Sequence, residues 1–173
     1  MIFNLRFNFF FFKMSRKKTQ KKEEILIKEL DVNIIRPNRA TSLESGGSKI
    51  VVIGKPGTGK TTLITSLLYE KANVFPAGMV CSGTEDSNHH YGRIFPSTFV
   101  YNGLDVDRIE SFMKRQKIAK NHIQNPWSVL LLDDCTDDPK IFNTSLFRNL
   151  MKNGRHYSLL FILSLQYCMD VKP

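Results

Sequence analysis

A chain of 173 residues is long enough for one domain with a real core and too short for two comfortable ones. Its composition, 42% hydrophobic and 24% charged, is ordinary for a soluble protein, and three widely spaced cysteines with no CxxC pair exclude a zinc framework and point to reduced thiols. The net charge of +9 is concentrated: residues 1–40 hold ten Lys/Arg against four Asp/Glu, so the basicity belongs mostly to an N-terminal arm and not to a charged domain face.

The opening "MIFNLRFNFFFFK" is apolar but too short to span a bilayer, and "KMSRKKTQKK" follows it where a signal peptide needs small residues. Met14 reads as the working start, with residues 1–13 an upstream extension. No stable membrane insertion is expected, although a membrane-surface anchor is the alternative reading of this stretch. The basic arm suits a polyanion such as DNA or, equally, a solvated tail. Residues 1–48 read as arm and linker, ending in the Ser/Gly-rich "TSLESGGSK".

From Lys49 the pattern changes. "KIVVIG" is a β-branched run of the kind that sits inside a parallel sheet, and "TTLITSLLYEK" carries Leu63, Ile64, Leu67 and Leu68 at helical spacing. "AGMVCSG" and "TFVYNG" predict two further strands. "DVDRIESFMKRQKIAK" predicts a helix capped at Asp105 or Asp107, with Ile109, Phe112 and Met113 on one face. "WSVLLLDD" predicts a strand, "KIFNTSLFRNLMKN" a helix stopped by Gly154, and residues 159–165 a last buried strand. Strands alternating with helices predict an α/β fold over residues 49–173, a mostly parallel sheet flanked by helices.

Between the first strand and the first helix lies "GKPGTGKT", which satisfies GxxxxGK[ST] in the setting that gives the pattern meaning. Glycines at 54, 57 and 59 let successive N–H groups converge on phosphate oxygens, and the helix N-terminus adds its positive end. Gly54, Lys55, Pro56, Gly57, Thr58, Gly59, Lys60, Thr61 and Thr62 are therefore the expected nucleotide-binding run. Lys60 would reach the β- and γ-phosphates of ATP, and the Thr61 hydroxyl would ligate Mg²⁺. The alternative is an ordinary Gly-rich turn. The matching acid is sought at the end of a buried strand, and "VLLLDD" supplies it: Asp133 for the metal, and Asp134 where a base polarises the attacking water. Both carboxylates are also consistent with a simple turn.

The distance from Lys60 to Asp133 leaves room for two strands and their helices, which favours P-loop proteins whose acid strand is separated from the loop strand. No NKxD motif supports a GTPase, and "LESGGSK" precedes the loop where an ABC-transporter signature would follow it. In "GRHYSLLFILSLQY", Gln166 leaves the last strand and Arg155 enters it. With that strand beside the loop strand, Gln166 would face the γ-phosphate as a sensor. Arg155, at the far end, would suit a neighbouring subunit's nucleotide as a trans arginine finger, or simply a helix C-terminus.

Taken in order, "GKPGTGKT", "SGTEDSNHHYGRIFP", "VLLLDD" and "GRHYSLLFILSLQY" resemble the poxvirus-type genome-packaging ATPases of large DNA viruses, within the FtsK/HerA superfamily. The resemblance implies a RecA/FtsK-like P-loop NTPase that hydrolyses ATP with Mg²⁺ and drives double-stranded DNA into a capsid. It implies a ring-shaped homo-oligomer with capsid or portal partners. It also implies work at viral assembly sites in the host cytoplasm, or association with the virion. Carried over by position, Lys60 and Thr61 bind nucleotide and metal, Asp133 and Asp134 form the acidic pair, Gln166 is the sensor and Arg155 a candidate finger. Two departures stand out: Asp134 replaces the commoner Glu, and the sequence stops soon after Gln166 where family members continue, leaving a C-terminally incomplete domain with one sheet edge bare. A nucleotide-binding module without turnover and a small-molecule nucleotide kinase are the rival readings. A metal site at Asp86, His89 and His90, a DNA or nucleotide contact by Glu85, and phosphate contacts by Lys114, Arg115, Lys117 and Lys120 are weaker expectations.

Overall fold

The computed structural model describes residues 31–35, 49–135 and 139–167. The chain divides into two units, residues 1–34 and 35–173; in the first, Val32–Ile34 forms a single 3-10 turn. The arm, its linker, residues 136–138 and Cys168 lie outside the described residues, apart from the short stretch 31–35.

The second unit is an α/β fold. Strands β1 (Lys49–Ile53), β2 (Ala77–Ser82), β3 (Val100–Asn102), β4 (Ser128–Asp133) and β5 (Leu159–Leu165) form one all-parallel sheet in the order β1-β5-β4-β2-β3. Helices α1 (Lys60–Glu70), α2 (Glu85–Asn88), α3 (Val106–His122) and α4 (Ser145–Asn153) connect them. The alternation read from the sequence therefore holds, with two strands intervening between the loop strand and β4 in chain order as expected.

The three central strands explain themselves. β4 and β5 are buried at every position and β2 at all but its first, which is why their sequences run apolar without alternation. On one face Met79, Leu130, Leu132, Phe161 and Leu163 pack with Ile109, Phe112 and Met113 of α3 and Leu146, Phe147 and Leu150 of α4. Val80, Leu131 and Ile162 point by strand alternation to the opposite face. Gln116, wholly buried on α3, has its amide engaged: Nε2 donates to the carbonyls of Pro126 and Tyr157, and Oε1 accepts from Arg115. That one side chain ties α3 to the entries of both β4 and β5.

Three expectations are corrected. β1 is an edge strand and not an interior one: among the described residues it pairs only with β5, and Val51 and Ile53 are 44% and 51% exposed. The helix expected over 140–153 is split, because Thr144 takes an extended conformation and its hydroxyl accepts from the N–H of Phe147, capping α4 and leaving Pro139–Asn143 as a 3-10 turn. Gly154 does not stop α4 in a left-handed conformation; the chain continues through a 3-10 turn, Gly154–Tyr157, and the left-handed residue is Ser158.

Candidate phosphate and metal site

Parallel strands deliver their C-terminal ends to one rim of the sheet, and the sequence-predicted residues gather there with one exception. The loop after β1 turns through left-handed conformations at Gly57 and Gly59, and a Cβ on Gly54 would lie 2.6 Å from Thr58 Oγ1. Helix α1 then starts at Lys60, so its unpaired N–H groups open onto this rim. The Lys60 ammonium is buried, donates to the carbonyl of Gly54 at 2.9 Å and stands 3.9 Å from Asp134 Oδ1.

Gln166 follows β5 directly and is half-buried. The N–H of Gly54 donates to the carbonyl of Leu165, so the glycine loop begins hydrogen-bonded to the end of the strand that Gln166 follows. Arg155 is the exception. Its backbone lies in the 3-10 turn ahead of β5, a strand of seven residues and hence about 20 Å from the rim; its side chain is outside what the structure describes.

Asp133 ends β4 with 2% exposure, between β2 and β5. Oδ2 accepts a 2.7 Å hydrogen bond from the hydroxyl of Tyr91, while Oδ1 is buried and has no hydrogen-bonding partner among the described residues. Its register partner on β5 is Ser164, whose Oγ is likewise buried and without a partner there. A buried carboxylate oxygen left unmet suits a cation or its water. The oxygens of Asp133 and of the half-buried Thr61, the second residue of α1, are hard donors of the kind Mg²⁺ takes. Asp134 takes a left-handed conformation.

Sequence reasoning assigned no role to Tyr91 itself. The segment 83–92 is tied to the end of β4 by the N–H of Gly83, which donates to the Asp133 carbonyl, and by the Tyr91 hydroxyl. Both oxygens of the buried Glu85 carboxylate accept from backbone, Oε2 from the N–H of Tyr91 at 3.0 Å and Oε1 from that of Gly92 at 2.8 Å. That engagement makes Glu85 a brace for the loop. His90 Nε2 pairs with Thr65 Oγ1 of α1 at 2.8 Å, and Asn102 donates to Asp86. No cluster of three metal-ligating side chains occurs among the described residues, so the Asp86, His89 and His90 reading has no geometry behind it. Burial first, and then the Asp133 carboxylate, push the Tyr91 phenol far above its ordinary range, so it keeps its proton and acts as the hydrogen-bond donor to Asp133. A buried hydrogen bond to a carboxylate of this kind stabilises by on the order of 2 kcal/mol.

An apolar cavity of about 340 Å³ lies elsewhere, lined by Leu68, Phe75, Phe95, Phe99 and Phe112, and contains none of these residues. No helix among the described residues is long and apolar enough to cross a membrane.

No protein-family model matches the sequence. It is 55% identical over 152 residues to uncharacterized protein 075L of Invertebrate iridescent virus 6, covering 87% of this chain and 59% of that protein. It is 42% identical over 156 residues to uncharacterized protein 088R of Invertebrate iridescent virus 3, covering 89% of this chain and 60% of that one. Uncharacterized protein 015R of Frog virus 3 is 40% identical over 154 residues, covering 87% and 48%. The chain is thus similar to proteins of large DNA viruses and spans about half to three-fifths of their length.

Proposed function

We propose that this chain is the nucleotide-hydrolysing core of a viral DNA-packaging motor, a P-loop ATPase of the FtsK/HerA kind. The observation that carries the reading is the shared rim: a glycine loop closing on Lys60, a buried Asp133 with one oxygen unmet, and Gln166 tied to the loop through Leu165. Similarity to proteins of large DNA viruses supports the viral setting.

In this reading the N–H groups of residues 54–62 cradle the phosphates of ATP, and Lys60 swings from the Gly54 carbonyl to the β- and γ-phosphates. Asp133 and Thr61 hold Mg²⁺, which when bound neutralises charge accumulating on the phosphate oxygens. Asp134 polarises the attacking water and Gln166 orients it. Arg155, at the remote end, serves a neighbour in a ring, and double-stranded DNA and a capsid portal are the partners.

The test is ATP hydrolysis by residues 14–173 with and without double-stranded DNA, beside Lys60→Ala. DNA-stimulated turnover is expected, with a loss of at least about 100-fold in the variant. Turnover in Lys60→Ala equal to wild type would overturn the site. Nucleotide binding without turnover would instead favour a binding module. Phosphoryl transfer to a nucleoside monophosphate, indifferent to DNA, would identify a kinase.

A further inference from the structure

We propose that Tyr91 is the positioning residue that decides which oxygen of Asp133 meets the metal; the inference rests on the nucleotide-site reading above. A carboxylate at a strand end has two nearly equivalent oxygens and a broad χ2, so a buried Asp without a fixed partner presents either one. Here the choice is made from outside the sheet. The hydroxyl of Tyr91, a residue buried to 1% exposure, donates to Oδ2 and leaves Oδ1 as the buried oxygen without a hydrogen-bonding partner among the described residues.

The tyrosine is itself held. Its N–H and that of Gly92 are clamped by the two Glu85 oxygens, and its neighbour His90 is hydrogen-bonded to Thr65, one turn into the helix that begins at Lys60. Its ring stands edge-on to the His90 ring, with centroids 4.9 Å apart. One short loop therefore touches both halves of the site, the phosphate-loop helix through His90 and the metal carboxylate through Tyr91. Glu85, Tyr91 and Asp133 form a chain in which each member fixes the next, the arrangement by which outer-shell partners orient a metal ligand.

Tyr91→Phe removes the hydroxyl and keeps the ring that fills the core. Binding of a fluorescent ATP analogue is followed while Mg²⁺ is titrated, and again in EDTA. The half-saturating Mg²⁺ concentration is expected to rise about tenfold or more, with affinity in EDTA unchanged within about twofold. Glu85→Gln, which loosens the clamp on Tyr91 without touching Asp133, is expected to shift the Mg²⁺ midpoint in the same direction by less. A Tyr91→Phe protein with a wild-type Mg²⁺ midpoint overturns the proposal, whatever its melting temperature. Failure of the wild-type chain to bind the analogue at all, with or without Mg²⁺, overturns the nucleotide-site reading first and this inference with it.

Discussion

Asp133 is a buried carboxylate and Cys81 a buried thiol on the neighbouring strand, and the first accepts a hydrogen bond from the Tyr91 hydroxyl. Cys81 is fully buried, and the loss of solvent pushes its thiol from 9.0 up to about 11, so it remains protonated and unreactive at ordinary pH. The unfolded chain releases this proton near pH 9 while the folded chain keeps it to about pH 11, so folding binds protons across that window. Stability is therefore expected to fall as pH rises from 9 to 11, by on the order of 2 kcal/mol from this group. Denaturant unfolding of wild type and Cys81→Ala at pH 7.5 and 10.5 checks it: the wild type should lose more stability between the two. Residues of the glycine loop were legible singly, because their pattern is contiguous in sequence. Tyr91 was not, since its partner is 42 residues away and a buried tyrosine near a loop otherwise reads as core.

Elements were legible where burial is two-sided. The unbroken apolar runs of β2, β4 and β5 admit no surface position, and all three formed where the sequence put them. Helix ends were less so. Lys49–Ile53 has the composition of an interior strand yet lies at the edge, because composition reports burial preference and not which neighbour arrives. The single helix expected over 140–153 breaks at Thr144, whose hydroxyl competes for the backbone donor that a continuous helix would have used. Thr144→Ala is expected to destabilise the domain by about 1 kcal/mol. Thermal or urea unfolding would read this, and an unchanged midpoint would show that the cap contributes nothing. Thr144→Ser should retain most of the stability.

Across the whole chain, charge and chemistry are segregated. The described domain carries the candidate site at the sheet rim, while residues 1–40 carry a surplus of six positive charges. If the arm meets DNA, removing residues 1–30 should weaken binding to double-stranded DNA and flatten its salt dependence, while leaving basal ATP turnover and the Mg²⁺ midpoint unaltered. Equal salt slopes for the two chains would assign the arm to solvent. The sequence by itself determined that a glycine loop joins a strand to a helix, that an acid ends a buried apolar run, and that strands and helices alternate. Each of these is a local pattern, set by backbone freedom, periodicity and burial within a few residues. Tertiary structure alone decided the strand order that seats β5 between β1 and β4, and with it the tie from Gly54 to the strand of Gln166. It also decided that Glu85 braces a loop and that Tyr91 takes one oxygen of Asp133. Those contacts join residues far apart in the chain, whose meeting depends on how whole elements pack and leaves no mark in the spacing of the sequence.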